Sequence, residues 1–179
     1  MSELNEAILG LKQGEDDAFS FIYNLFEKSL YNHLYRMLGS ESRAEEIFQE
    51  TMLSLIKKID LYSHRDDLQN SFKSWIFRIA TNLAIDEIRK NKSVSPLEEN
   101  YSITEKNKIE IHDTEQRIHF LIGKLPLMQR TFLGLRVKED LSIKEIAVIC
   151  KVEVNAVKQG LFRGRKALKD LLIEEGIVL

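Results

Sequence analysis

The sequence has little cysteine, proline or glycine, and it contains no long apolar run. The single Cys150 excludes an internal disulfide and a zinc site built from several cysteines. Two prolines and eight glycines in 179 residues, with little β-branched alternation, favour helix throughout. No apolar segment is long enough to span a bilayer, and the N-terminus lacks the pattern of a signal peptide. We therefore expect a helical, cytoplasmic protein with no membrane insertion.

Residues that would support catalysis or metal binding are also scarce. The four histidines are scattered and have no metal-ligand spacing. His112-Asp113 resembles the dyad of metal-dependent phosphohydrolases, but no further spaced ligand accompanies it, and Asp113 fits a helix cap. We expect no catalytic residue, no metal site and no cofactor.

Charge is unevenly distributed along the chain although the formal net charge is only −2. A chain that binds both DNA and a basic protein surface would have separate acidic and basic segments. Ordinary solvated helix faces would give a similar distribution, so charge alone leaves both readings open. The acids collect at Glu45, Glu46, Glu50, Glu98 and Glu99, and the cations at Arg89, Lys90, Lys92, Lys158, Arg163, Arg165, Lys166 and Lys169.

Hydrophobic periodicity and turn signals predict two helical units. Apolar residues recur at three- and four-residue steps from Glu3 to Leu38, and Ser42 to Glu45 has the spacing of a capping box. The helix that starts there carries Ile47, Phe48, Leu55, Ile56 and Ile59 inward. Residues 1–92 form the first predicted domain, 93–112 a flexible linker, and 113–179 the second domain.

The helix predicted from Phe72 to Lys90 mixes aromatic and basic residues. At 100° per residue, Trp75, Arg78, Asn82, Asp86 and Arg89 fall within an arc of roughly 80°. Such an edge offers an aromatic surface for a base and cations for phosphate. The alternative is that Trp75 is a boundary tryptophan and that Arg78 pairs with an acid.

The acidic segment around Glu45 also has two interpretations. Glu45 and Glu46 complement the helix dipole if they lie in a first turn. Gln49 and Glu50 extend the polar strip beyond that turn, as a surface that docks on another protein would.

The segment from Leu141 to Lys169 predicts a helix-turn-helix. Ser142 to Glu145 is a second capping box, and a basic helix begins near Val154. Arginine and lysine can donate to guanine, and glutamine can pair with adenine, in a major groove. The alternative is a basic amphipathic helix in a bundle.

Two ordered sets of motifs resemble those of bacterial sigma factors. Three motifs resemble region 2: Ala44-Glu45-Glu46 with Gln49-Glu50, Phe72-x-x-Trp75-Ile76-x-Arg78-Ile79-Ala80-x-Asn82, and Asp86-x-x-Arg89. A second set resembles region 4: Leu125-Pro126, Arg130, Leu141-Ser142-x-x-Glu145-Ile146-Ala147, Val157-Lys158 and Arg163-x-Arg165-x-x-Leu168. Having only these two regions and a short linker is similar to the extracytoplasmic-function (ECF) group.

The resemblance implies an all-α fold in which a region 2 helical bundle and a helix-turn-helix region 4 domain are joined by the linker. It also implies three sets of binding residues. RNA polymerase would be bound by Glu45, Glu46, Gln49, Glu50 and Leu53. The minus-ten element would be bound by His64, Arg65, Lys73, Trp75, Arg78, Asn82, Asp86, Arg89 and Lys90. The minus-thirty-five element would be bound by Ser142, Asn155, Lys158, Gln159, Phe162, Arg163, Arg165 and Lys166.

The implied partners are core RNA polymerase, through its β′ clamp and β subunits, and promoter DNA as duplex and as melted non-template strand. An anti-sigma factor is a further expected partner. The implied function is promoter recognition, DNA opening and transcription initiation, and the chain itself catalyses nothing. Two rival functions remain: a helix-turn-helix regulator that acts without polymerase, and a degenerate sigma factor that only sequesters partners.

Three residues of the second domain depart from expectation or need interpretation. Lys151 stands where the family's turn usually carries glycine, which predicts a strained or differently built turn. Gly160 stands where a polar residue is usual, which predicts a lost phosphate contact and weak or unusual minus-thirty-five recognition. Cys150 is interpreted as a small core residue and not as a redox switch.

Overall fold

The computed structural model describes residues 3–63, 71–92 and 114–176. Within these ranges the chain is all helical, as predicted, and none of the described helices is both long and apolar enough to cross a membrane. The helices are α1 (Glu3–Lys12), α2 (Asp16–Leu38), α3 (Glu41–Lys58), α4 (Phe72–Lys92), α5 (Thr114–Gly123), α6 (Leu127–Leu133), α7 (Ile143–Cys150) and α8 (Val154–Glu174). A 3₁₀ turn (Ile59–Leu61) follows α3, and a π-helical turn (Gly134–Lys138) follows α6.

Helices α1 to α4 form the first bundle, in which α2 packs against α1, α3 and α4. The periodicity between Glu3 and Leu38 is divided into two helices by a turn at Gly14, whose φ of 79° favours glycine. Side chains buried completely between the helices include Ile22, Leu30, Leu55 and Phe77. Burying each of them favours folding by about 1.5–3 kcal/mol.

The start of α3 differs from the prediction. Ser40, and not Ser42, is the N-cap, and its side chain accepts a hydrogen bond from the Arg43 amide. Gly39 closes α2 in the left-handed conformation, so only Gly39 and Ser40 separate the two helices. The predicted capping box failed because the tight connection starts α3 two residues earlier than the spacing suggested.

Helices α5 to α8 form the second bundle, where α8 packs against α5, α6 and α7. The predicted capping box of α7 is confirmed: Ser142 accepts from the Glu145 amide, and the Glu145 carboxylate accepts from the Ser142 amide. Lys151 ends α7 at φ 54° and ψ 47°, so it adopts the left-handed conformation that glycine would favour. The turn keeps its shape and the lysine backbone bears the strain.

The two bundles contact each other directly, because α4 packs against α7 and α2 packs against α6. The predicted linker, residues 93–112, lies outside the described residues, as does the dyad at His112-Asp113.

Candidate nucleic-acid and protein interfaces

Helix α3 presents an acidic strip opposite its buried face. Ala44, Ile47 and Phe48 point into the core, and the strip formed by Glu45, Glu46, Gln49, Glu50 and Leu53 is exposed. Leu53 has 56% of its surface accessible, and it extends the strip with an apolar side chain. Ile56 was predicted to point inward but is 45% exposed, because it follows Leu53 by three residues and lies on the same face.

The tryptophan at the start of α4 belongs to an aromatic cluster. The Trp75 ring lies 5.3 Å from the Tyr62 ring and 5.8 Å from the Phe72 ring, measured between centroids. Tyr62 and Phe72 are buried, and burial raises the pKa of the Tyr62 hydroxyl. Trp75 itself is half-buried, so this boundary tryptophan keeps part of its ring accessible. His64 and Arg65, which follow Tyr62, lie outside the described residues.

The remaining predicted residues of α4 divide into an exposed and a half-buried group. Asp86, Arg89 and Lys90 border an open groove of about 330 Å³ that reaches Glu50 of α3, and Asp86 and Arg89 are paired at 3.8 Å. Arg78 is half-buried.

Lys73 and Asn82, in contrast, contact the second bundle. The Lys73 ammonium donates to the Glu139 carbonyl at 2.7 Å and lies 3.3 Å from the Glu139 carboxylate. The Asn82 amide donates to the Arg78 carbonyl at 2.5 Å and to the Ile149 carbonyl of α7 at 3.4 Å. Asn82 belonged to the predicted DNA-binding edge, whereas minus-ten binding by Lys73 was implied by the resemblance. Neither pattern indicated that these two residues contact the second bundle.

Helix α8 separates its polar and apolar residues clearly. Val157, Leu161 and Gly164 are buried against the second bundle. Phe162 is 72% exposed, which leaves a large aromatic ring in solvent beside several cations. The exposed set is Asn155, Lys158, Gln159, Phe162, Arg163, Arg165 and Lys166. Ser142 is half-buried, and its hydroxyl is used by the capping box of α7.

The sequence predicted that Gly160 removes a phosphate contact, and this reason is wrong. A Cβ atom at Gly160 would lie 2.5 Å from Cδ2 of Phe132, a buried side chain of α6. Position 160 therefore faces α6 and not the exposed face of α8. The glycine permits the close approach of two helices, and a longer side chain there would not reach a phosphate.

Cys150 is buried in the core, as predicted, and burial raises the pKa of its thiol to about 12. A thiol that remains protonated is a poor nucleophile, which fits a packing role. Across the described residues, no cluster of three or more histidine, cysteine or acidic side chains could hold a metal ion.

Comparison with known proteins agrees with this geometry. The family description Sigma-70 region 2 matches residues 22–94, and Sigma-70, region 4 matches residues 115–168. The ECF RNA polymerase sigma factor SigW of Bacillus subtilis (strain 168) is 33% identical over 184 residues, covering 94% of this chain and 96% of SigW. The chain belongs to the ECF sigma factors. SigV of the same organism is 27% identical, with 84% of this chain and 89% of SigV covered.

Solved structures show the same fold. The sigma factor RpoE, in complex with the anti-sigma factor NepR from Bartonella quintana, matches with a TM-score of 0.67 at 20% identity, covering 86% of this chain and 96% of RpoE. CnrH, in complex with the cytosolic domain of CnrY, matches with a TM-score of 0.66 at 20% identity, covering 94% of this chain and 96% of CnrH.

The protein is therefore a sigma factor for transcription initiation and not an enzyme. As a member of this family it binds core RNA polymerase and promoter DNA. A conventional helix-turn-helix regulator would account for the match to region 4 but not for the match to region 2.

Proposed function

We propose that this ECF sigma factor uses three separate surfaces in initiation, and that residues 1–92, 93–112 and 113–179 form its region 2, linker and region 4. The first surface is the acidic strip of α3, which docks on the clamp coiled coil of the polymerase β′ subunit. Its exposure supports this assignment, because Glu50 and Leu53 lie opposite a well-packed face and are accessible to a partner.

The second surface is the edge of α4 together with His64 and Arg65. It captures the opened non-template strand at the minus-ten element. Taking a base out of the duplex costs a few kcal/mol. Stacking on an aromatic ring returns roughly 1–3 kcal/mol per base. The Trp75 ring is held by Tyr62 and Phe72, so little side-chain freedom is lost when a base stacks on it.

The third surface is the exposed face of α8, which reads the minus-thirty-five element as duplex DNA. The second helix of a helix-turn-helix enters the major groove, and Lys158, Gln159 and Arg163 carry the donors that read base edges there. Exposed Phe162 can contact a thymine methyl group. We propose that the linker threads through polymerase toward its active-site and RNA-exit channels.

Regulation by a protein partner belongs to the same proposal. RpoE was solved with an anti-sigma factor as its partner, and CnrH was solved with the cytosolic domain of CnrY. We propose that an anti-sigma factor binds this chain in the cytoplasm and covers its polymerase-binding surface.

The observation that carries the proposal is the separation of the acidic strip of α3 from the basic face of α8. The purified protein should bind core polymerase and open a discrete set of promoters from a genomic fragment library. Arg163→Ala should weaken promoter binding by about 1–3 kcal/mol and relax preference at one base position. Glu50→Arg should weaken polymerase binding instead, because it reverses the charge of the docking strip.

Two matched controls lie outside these surfaces. Lys169→Ala removes an exposed cation of α8 that lies beyond the predicted contacts, and Glu6→Arg reverses an exposed acid of α1. Neither should change promoter preference or polymerase affinity. Polymerase binding without promoter opening would overturn the proposal in favour of a degenerate sigma factor that only sequesters partners. Duplex binding without polymerase binding would overturn it in favour of a regulator that acts without polymerase.

A further inference from the structure

Helix α1 belongs to none of the three proposed surfaces. It precedes the residues that match region 2, which begin at position 22, and none of the predicted binding residues lies in it. The helix is nevertheless well packed, because Ala7, Ile8 and Leu11 are buried. It contacts α2 and also the 3₁₀ turn at Ile59–Leu61, which directly precedes Tyr62. Helix α1 therefore lies close to the aromatic cluster that holds Trp75.

One hydrogen bond joins the C-terminal end of α1 to Tyr62. The Lys12 ammonium donates to the Tyr62 carbonyl at 2.6 Å, although the two residues lie 50 positions apart in the chain. The Tyr62 amide donates to the Ile59 carbonyl at 3.0 Å. Both backbone polar groups of Tyr62 are therefore bonded, one within the 3₁₀ turn and the other to α1. Because a hydrogen bond from an ammonium is stronger than one between neutral groups, Lys12 restricts the backbone at this point.

The side chain of Tyr62 connects this hydrogen bond to the tryptophan. Its ring packs edge-on to Phe72, with the centroids 5.2 Å apart, and it lies 5.3 Å from the Trp75 ring at an interplanar angle of 47°. Tyr62 and Phe72 are each only 4% exposed, so a shift of the Tyr62 backbone moves a closely packed ring. The part of the Trp75 ring that stays accessible therefore depends on where the Tyr62 ring lies.

We propose that Lys12 is a positioning residue for strand capture: by fixing Tyr62, it orients the Trp75 ring for an unpaired base. A stacking surface that is held in place beforehand loses less side-chain freedom when a base binds. Lys12 acts through Tyr62 and does so without touching DNA. The inference rests on the proposed function for the role of Trp75 in strand capture, whereas the link from Lys12 to Trp75 does not depend on it.

The fluorescence of Trp75 tests this link directly, because the chain contains a single tryptophan. Lys12→Met keeps most of the aliphatic side chain and removes the donor, and methionine is as good a helix former as lysine. The emission of Trp75 should shift to longer wavelength, and acrylamide should quench it more efficiently, because release of Tyr62 exposes more of the ring to water. Lys12→Arg keeps a cationic donor and should restore both wild-type values.

Lys28→Met is the matched control. Lys28 is an exposed lysine of α2, so this variant removes the same charge from the same bundle. It should leave the fluorescence of Trp75 unchanged. Circular dichroism should show wild-type helix content in every variant. If Lys12→Met loses helix content, the decision passes to Lys12→Gln, whose side chain is neutral and one bond shorter than that of lysine.

Strand capture is measured with holoenzyme that is reconstituted from core polymerase and each variant. The probe is a labelled non-template oligonucleotide from one of the promoters found in the fragment library. Holoenzyme with Lys12→Met should bind it about tenfold more weakly than holoenzyme with Lys28→Met, because a displaced ring loses much of the stacking on one base. Binding of core polymerase and of duplex minus-thirty-five DNA should be equal in the two variants.

A double-mutant cycle with Trp75→Ala shows whether Lys12 acts through the tryptophan. In the Trp75→Ala background, Lys12→Met should cause no further loss of strand binding, because the ring that Lys12 positions is gone. The salt dependence of strand binding should also be the same with and without Lys12. A lysine that contacted a phosphate itself would give an equal loss in both backgrounds and would lower the salt slope by about 0.7. That result would overturn the positioning role.

The outcomes distinguish a failure of this inference from a failure of the proposed function. Unchanged Trp75 fluorescence in Lys12→Met and Lys12→Gln, with helix content preserved, overturns the positioning role whatever the DNA results are. If the fluorescence changes and strand binding does not, Trp75→Ala decides between the two. Weaker strand binding by Trp75→Ala then overturns the role of Lys12 in capture. Unchanged binding by Trp75→Ala counts against the α4 edge as the strand-binding surface, and the inference falls with it.

Discussion

At the scale of single residues, His33 is unusual because it is a completely buried histidine. His33 on α2 has its Nε2 atom 2.9 Å from the Thr81 hydroxyl of α4, and its ring lies edge-on to Phe77 at 5.3 Å. Burial lowers the pKa of His33 to about 3, and nearby Arg36 acts in the same direction. The folded protein therefore holds this imidazole neutral at physiological pH.

This pKa predicts a loss of stability in mild acid. The unfolded chain protonates His33 near pH 6.5, whereas the folded chain does not until about pH 3. The contribution of neutral His33 is therefore present above pH 6.5 and is lost as pH falls toward 3. Between pH 7 and pH 5 it decreases the free energy of unfolding by about 2 kcal/mol. Urea titrations of wild type and His33→Gln should differ by that amount in their pH dependence, and equal slopes would contradict the assignment.

Lys151 supports a second residue-scale prediction. Its φ of 54° costs a non-glycine residue roughly 1–2 kcal/mol, but the greater unfolded-state entropy of glycine offsets part of the gain from replacing it. We expect Lys151→Gly to raise the free energy of unfolding by about 0.5–1 kcal/mol. Lys151→Ala is the control, since it removes the same side chain but keeps the Cβ atom. A similar gain in both variants would show that the lysine side chain, and not the backbone, was responsible.

At the scale of elements, the orientation of α8 depends on its close approach to α6. Gly160 and Gly164 lie one turn apart, and both face α6: Phe132 contacts the first, and Leu133 and Gln129 contact the second. Glycine inside a helix costs about 1 kcal/mol relative to alanine. That cost is offset here by packing that no larger residue would allow, and it directs the cations of α8 away from the bundle.

We therefore expect Gly160→Ala to destabilise the protein despite the better helix propensity of alanine. Phe132 is buried, so moving its ring away from the new methyl group would disturb its packing, and the net loss should be about 1–2 kcal/mol in urea unfolding. Gly164→Ala should cost less, because its nearest contact would be 3.1 Å and not 2.5 Å. In a Phe132→Leu background the penalty of Gly160→Ala should become smaller. An unchanged penalty would exclude the ring contact as its cause.

At the scale of the whole molecule, a near-neutral chain has its charges segregated onto separate surfaces. The acidic strip of α3 and the basic face of α8 are both accessible while Glu139 holds the two bundles together. Two weak DNA-binding units attached to one polymerase gain effective concentration, so neither requires high affinity by itself.

Local information determined most of the fold. Periodicity of 3.6 residues and the capping box at Ser142 predicted the helices correctly, since both depend on residues within a few positions of one another. The exposed faces of α3 and α8 followed from the same periodicity. The predicted cap at Ser42 failed only where two helices meet too closely for spacing alone to define the boundary.

Tertiary structure decided the rest. The sequence predicted that Gly160 removes a phosphate contact, but position 160 faces Phe132 of α6. It also predicted that Ile56 points inward, but this side chain is exposed. The partners of Glu139 are distant in sequence, at Arg36 and Lys73, and no local pattern connects them. Helix type and the polar face of a helix are determined by neighbours in the chain. Which helix covers that face depends on packing between residues far apart in sequence. In this protein, that packing places α7 against part of the α4 edge.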